Sequence, residues 1–324
     1  MLVTGADGFI GSHLVQRLVA DGRRVRAMCL YNSMGSVGWL SELSDEERAG
    51  VAVEFADIRD AERVRDLVAG VEVVFHLAAL IAIPYSYASP RSFVDTNVTG
   101  TLNVLEAART GRVSRVVHTS TSEVYGTPES VPITEAHPLH GQSPYSASKI
   151  GADMLAEAWA RSFDVPVTVL RPFNTYGPRQ SARAVIPVVL GQMLAGADEI
   201  RLGALDPRRD FTYVTDTVDG FVRAAAAELT RPGEVVQLGT GRDVSIGELV
   251  ELCRTVTGST ARIIQEDVRV RPPNSEVERL LSSSERARER LGWQPTVSLE
   301  DGLARTADWL RGRVDARSAA VYHR

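Results

Sequence analysis

The stretch VTGADGFIGSHL, Val3 to Leu14, constrains this chain more than any other. It sets Gly5, Gly8 and Gly11 between a short apolar run, Leu2–Thr4, and a helical pattern over Phe9–Ala20. Glycines at this spacing let the backbone turn tightly and lie close to a pyrophosphate. The helix that follows offers free N–H groups at its positive end. Glycine-rich strand–helix turns also form for packing alone. At the head of an alternating β/α chain, however, the pattern points to a dinucleotide, with Gly5, Gly8, Phe9, Ile10 and Gly11 as its contacts.

Apolar, β-branched runs at Arg24–Leu30, Val51–Phe55, Val71–Phe75, Val113–Thr119 and Val165–Leu170 read as strands. Asp60–Val68, Ser92–Thr110 and Pro144–Phe163 read as helices between them. Such alternation predicts an α/β fold, a Rossmann doubly wound parallel sheet covered on both faces. After Arg171 the chain turns rich in Pro, Gly and Arg, with one helix over Val185–Ala195. Phe211–Glu228 and Val235–Gly239 then read as a return to the sheet. We expect a dinucleotide-binding domain from residues 1–172 plus about 212–241. A smaller discontinuous C-terminal substrate lobe is expected from 173–211 plus about 242–313, with a tail over 314–324.

Composition narrows the partners. The 324 residues, 44% hydrophobic, suffice for one large core or two smaller ones. A net charge of −5 with no block of like charges argues against nucleic acid. Cys29 and Cys253 form no disulfide framework, and the six histidines show no metal-ligand spacing, so no metal is expected. No apolar run reaches membrane-spanning length. The chain opens directly on the glycine motif without a secretory leader, which gives the cytoplasm as the expected location.

A dinucleotide fold of this kind usually carries an acidic residue at the end of its second strand, for the adenosine ribose. Here that position falls in AMCLYNS, which has no carboxylate. Tyr31, Asn32 and Ser33 are the candidates for a ribose or a 2′-phosphate, so NAD is expected with NADP left open. Asp57 and Ile58 are placed to flank the adenine, and Leu77, Ala78 and Ala79 end a strand where the cofactor would pass. His76, beside them, reads equally well as a packed strand-end histidine.

The chain's 36 basic residues include a single lysine, Lys149, in SPYSASKIG. Tyr145 lies four residues before it on a predicted helix, so the two share a face. A phenol titrates near pH 10. A neighbouring ammonium favours its ionised form, and a compact ammonium has a reach that a planar guanidinium lacks. The pair therefore points to a tyrosine base supported by lysine.

With these motifs in place, the chain resembles the extended short-chain dehydrogenase/reductases that act on nucleotide sugars. The resemblance runs over roughly residues 1–312, on GADGFIG, NVTGT, TSTSEVYG, YSASK, RPFNTYGP, RRDFTYVTD and RPPNSEV. It implies bound NAD(P), a UDP-, GDP- or dTDP-sugar substrate, a homodimer built on the two long helices, and Tyr145 and Lys149 as catalytic residues. It further implies that Thr121 hydrogen-bonds the sugar O4. Glu123 would take the C5 proton, as in 4,6-dehydratases, with Ser122 where those enzymes carry an aspartate. A Ser–Glu pair also resembles nucleoside-diphosphate-glucuronate decarboxylases, and C4-epimerases share the first oxidation. YNSMGSVGWL, IPYSYASP and RPFNTYGPRQSARAVIP favour a dehydratase acting on a nucleotide-linked hexose or N-acetylhexosamine. Arg209 and Arg271 would hold the diphosphate, Asn174 a phosphate oxygen or the sugar, Val185 and its neighbours the base, and Ser86 and Asn97 the sugar pocket. The rival class, a non-catalytic dinucleotide sensor, would have no need of Tyr145, Lys149, Thr121 and Glu123.

Overall fold

The computed structural model describes residues 1–228, 230–269 and 273–314. Its strands are Leu2–Thr4 (β1), Val25–Cys29 (β2), Val51–Phe55 (β3), Val73–His76 (β4), Arg115–Thr119 (β5), Val167–Pro172 (β6), Asn174–Tyr176 (β7), Glu199–Leu202 (β8), Arg208–Tyr213 (β9), Glu234–Leu238 (β10), Asp243–Ser245 (β11), Arg262–Gln265 (β12) and Arg279–Leu280 (β13). Its α-helices are Phe9–Ala20 (α1), Asp45–Ala49 (α2), Ala61–Val68 (α3), Ile83–Ala88 (α4), Pro90–Phe93 (α5), Gly100–Gly111 (α6), Pro144–Phe163 (α7), Val185–Leu194 (α8), Val214–Ala226 (α9), Ile246–Thr257 (α10), Glu285–Leu291 (α11) and Leu299–Leu310 (α12).

Seven strands form one parallel sheet in the order β10-β6-β5-β4-β1-β2-β3. The chain winds outward from β1 to β3 on one side and from β4 to β6 on the other. The order therefore reverses between β1 and β4, and the crevice at their carboxyl ends is where such sheets receive ligands. One apolar cluster, including Leu14, Leu18, Val218 and Phe221, covers one face. A second, including Val64, Leu67, Val104, Leu105 and Ala156, covers the other. Burial of such side chains contributes roughly 1.5–3 kcal/mol each.

Two expectations are corrected here. Phe211–Glu228 adds no strand to the main sheet, although α9 packs on its face. Its strand portion belongs to β9, which pairs with β7, β11 and β13 in a separate small sheet, and its remainder is mostly α9. Only β10 rejoins, parallel to β6. The helix expected over Ser92–Thr110 is interrupted by a π-helical turn, Val94–Thr99, between α5 and α6. An apolar run fits a central or a peripheral strand equally well, and side-chain pattern does not distinguish a π-turn from an α-turn.

Candidate active site

The glycine loop joins β1 to α1. Gly5 has φ +66°, and a Cβ there would lie 2.9 Å from the Ala78 nitrogen. A Cβ on Gly11 would lie 2.1 Å from the Gly5 carbonyl oxygen, so that position can hold only glycine. Gly8 caps α1 without a side-chain bond, leaving Phe9, Ile10 and Gly11 at an open helix start. This is the shape a dinucleotide pyrophosphate takes. Thr4 Oγ1 accepts from the backbone N–H groups of Leu77 and Ala78 at 3.1 Å each, fixing the end of β4 against the loop. Ala79 follows them, half-buried.

His76 belongs to this scaffold. Its ring nitrogens lie 3.0 Å from Thr4 Oγ1 and from Thr101 Oγ1, and burial holds its pKa well below the ordinary range. It is a packed neutral histidine.

At the adenosine end, Tyr31 stands exposed, edge-on to Phe55, and Ser33 is exposed beside it. Asn32 closes its own loop: Oδ1 accepts from Ser36 N at 2.9 Å and Nδ2 donates to Ser36 O at 2.8 Å. Asn32 thus uses its amide on its own turn. Asp57 binds Arg59 at 2.5–3.1 Å, which lowers its carboxyl pKa, and Ile58 is buried next to it.

The other half of the site forms where β5 ends facing the start of α7. Ser143 caps α7 in a reciprocal box with Ser146, and Pro144 occupies the first turn. Tyr145, Lys149 and Asp153 then follow at four-residue steps along one buried face. The Thr121 side chain lies near the Tyr145 hydroxyl and favours its ionised form. Lys149 Nζ donates to the Thr119 carbonyl at 2.6 Å. Thr121 Oγ1 accepts from Glu123 N at 3.3 Å, capping the 3₁₀ turn Ser122–Tyr125. Ser122 is buried, while Glu123 is half-buried, with its charge bearing on the Tyr145 phenol.

Electrostatics here run against the simple expectation. Burial is the largest influence on Tyr145 and pushes its pKa up, although the neighbouring Thr121 side chain opposes it. Burial also brings Lys149 down to about 8, against the pull of Asp153. The ammonium's bond is to Thr119 rather than to the phenol, so in the protein alone it does not hold the tyrosine ionised.

Asp153 anchors the arrangement. Its carboxylate lies 3.1 Å from His118 Nε2, accepts from Ser120 Oγ at 2.5 Å, and accepts from Arg171 Nε and NH2 at 3.2 and 2.9 Å. Burial would raise its pKa, but His118 and Arg171 overrule that and bring it to about 2. Arg171 continues to Tyr125 Oη at 3.0 Å, and Tyr125 donates to Gln237 Oε1. Sequence reasoning missed this chain of contacts. The four-residue step from Lys149 to Asp153 was the one signal for it.

On the substrate side the placements divide. Asn174, on β7, has a buried Oδ1 with no partner among the described residues, as a ligand-facing amide would. Val185 begins α8. Arg209, on β9, is buried and paired with Glu276 at 2.9 Å. Arg271 lies outside the described residues. Two residues expected at the sugar pocket make bonds within the scaffold. Ser86 is fully buried and donates to the Ile83 carbonyl. Asn97, on the π-turn, accepts from Leu80 N and donates to Leu80 O and to Ser148 Oγ, at 2.8–2.9 Å. Its amide ties the segment after β4 to α7. Among the described residues no cluster of three or more ligating side chains is placed to hold a metal.

Comparison with known proteins agrees with this geometry. The family model described as GDP-mannose 4,6 dehydratase matches residues 2–306. A UDP-glucose 4-epimerase of Mycolicibacterium smegmatis is 36% identical over 321 residues, covering 96% of this chain and 98% of its own. The structure of a dTDP-glucose 4,6-dehydratase from Streptomyces venezuelae, with NAD bound, superposes with a TM-score of 0.84 at 32% identity, covering 96% of each chain. An NAD-dependent NDP-hexosamine 5,6-dehydratase involved in tunicamycin biosynthesis does so with a TM-score of 0.84 at 30% identity, covering 98% of each.

Proposed function

From membership of the GDP-mannose 4,6-dehydratase family, whose relatives are NAD-dependent nucleotide-sugar dehydratases and epimerases, we propose that this enzyme is a nucleotide-sugar 4,6-dehydratase. Its substrate is an NDP-hexose or NDP-N-acetylhexosamine, and NAD is recycled within the site. The observation that carries this reading is Glu123, a carboxylate on the turn after β5 whose charge bears on the Tyr145 phenol.

NAD, held at the glycine loop by Gly5, Gly8, Phe9, Ile10 and Gly11, would supply reversible hydride acceptance at C4. Thr121 holds the sugar O4 and Tyr145 takes its proton, general-base work worth about 10²–10⁴-fold. Lys149 keeps positive charge between β5 and α7. With C4 a ketone, the C5 hydrogen is acidic and Glu123 removes it. The C6 hydroxyl must leave as water, which requires a proton. Ser122 is a weak donor, so Glu123 delivers the proton it has just taken, and the proton that Tyr145 took from O4 is the one left to restore the C5 hydrogen when hydride returns to C6. Arg209 and Asn174 hold the nucleotide diphosphate and sugar.

The 36% identity to a UDP-glucose 4-epimerase favours epimerisation as a second reading. Incubation with UDP-N-acetylglucosamine, UDP-glucose and UDP-glucuronate, read by product mass, separates the possibilities. Loss of water from the first two supports the dehydratase. An isomer of unchanged mass points to an epimerase, and loss of carbon dioxide to a decarboxylase. Glu123→Gln is expected to stop water loss while reduced cofactor still accumulates. Normal product from that variant removes Glu123 from the mechanism.

A further inference from the structure

We infer that Asp7 replaces the acidic residue missing from the end of β2: its carboxylate accepts the adenosine ribose hydroxyls and selects NAD over NADP. This rests on the dinucleotide reading above and adds a specificity-determining residue to it.

The residues that follow β2, Leu30-Tyr31-Asn32-Ser33, contain no carboxylate. The amide of Asn32 is consumed by Ser36. Asp7 reaches the same place from the glycine loop. Leu30 N, the first backbone nitrogen past β2, donates to Asp7 Oδ2 at 3.4 Å. The main chain of Asp7 is clamped from the other side. Trp39 N donates to the Asp7 carbonyl at 3.0 Å. Gly38, at φ +55°, passes so close that a Cβ would lie 2.4 Å from that same oxygen. The clamp fixes the backbone and leaves the side chain leading out over the end of β2.

A carboxylate offers about four acceptor positions. Leu30 N uses one, so acceptors remain for a diol. Asp7 is half-buried, and burial raises its carboxyl above the ordinary aspartate value, as for a group held partly out of water. A ribose 2′-hydroxyl donates into such a group. A 2′-phosphate would set like charge against it. Arg59, four residues past β3, already has its charge met by Asp57 at 2.5–3.1 Å.

The test is calorimetric titration of the nucleotide-stripped full chain with NAD, NADP and the 2′-deoxyadenosine analogue of NAD. Wild type is compared with Asp7→Asn and Asp7→Ala. In wild type, NAD is expected to bind about tenfold or more tightly than either other ligand, the usual strength of a hydrogen bond to a charged group. Asp7→Asn keeps an acceptor for Leu30 N. It should weaken NAD about tenfold, spare NADP, and cost the deoxy analogue nothing further. Asp7→Ala should show the same ratios with a larger overall loss. Equal affinity of wild type for NAD and NADP, or equal losses for NAD and its deoxy analogue, overturns the inference while leaving the dinucleotide reading intact. Binding of neither dinucleotide by wild type overturns both.

Discussion

Lys149 carries its charge against its surroundings. Its pKa is held at about 8, below the ordinary 10.5, because it is buried. Between those two pH values the unfolded chain binds more protons than the native one, so stability rises with pH across that window. Lys149→Met is expected to abolish the rise, which urea midpoints from pH 7 to 10.5 would show. Lys149→Arg keeps a charge but not the compact ammonium that meets the Thr119 carbonyl. Its turnover is expected to fall about 10²–10⁴-fold, measured in a single-turnover assay on folded protein. The Tyr145–Lys149 pair was legible because one lysine among 36 basic residues is conspicuous. The Asp153 network was not, since its partners sit 18 to 35 residues away and meet it only where α7 packs on the sheet. Arg209 shows a different limit. A charged residue in a recognisable motif gives no sign that a carboxylate, Glu276, already stands beside it.

At the level of elements, α7 carries most of the proposed chemistry, and its cap is a point of leverage. Ser143→Ala removes the acceptor for Ser146 N and breaks the reciprocal box. It should cost about 1 kcal/mol of stability, read as a lowered denaturant midpoint. Turnover should fall as well, because Tyr145 lies in the first turn held by that cap. Most strands and helices of the main sheet could be read from apolar periodicity, since a sheet covered on both faces needs near-continuous apolar runs. The π-turn could not. It moves Asn97 to where one amide serves both Leu80 and Ser148, a contact set by backbone geometry rather than residue pattern. β9 was misplaced for a related reason: its composition fits a strand without saying which sheet it joins.

On the scale of the whole molecule, Asp210 links the small sheet to the end of the large one. Its buried carboxylate accepts from Thr240 N and Oγ1, Gly241 N, and Ser282 N and Oγ, at 2.6–3.2 Å. Asp210→Ala strands these donors and is expected to destabilise by roughly 2–5 kcal/mol. One apolar cluster also runs from Val3 and Leu14 to Leu249 and Leu303. We therefore propose that the two lobes unfold together, with tryptophan fluorescence and circular dichroism giving coincident transitions for both wild type and variant. We further propose a homodimer through α6 and α7, where Met154 and Phe163 are exposed apolar groups. Met154→Glu with Phe163→Glu should sediment as a single chain. A last consequence follows from the burial of Lys149, 4% exposed, against the Thr119 carbonyl. Besides the amino terminus, it is the chain's sole amine. An endoprotease that cuts after lysine therefore has one bond to attack, inside α7. The appearance of fragments 1–149 and 150–324 would time the parting of that helix from the sheet, with no label introduced.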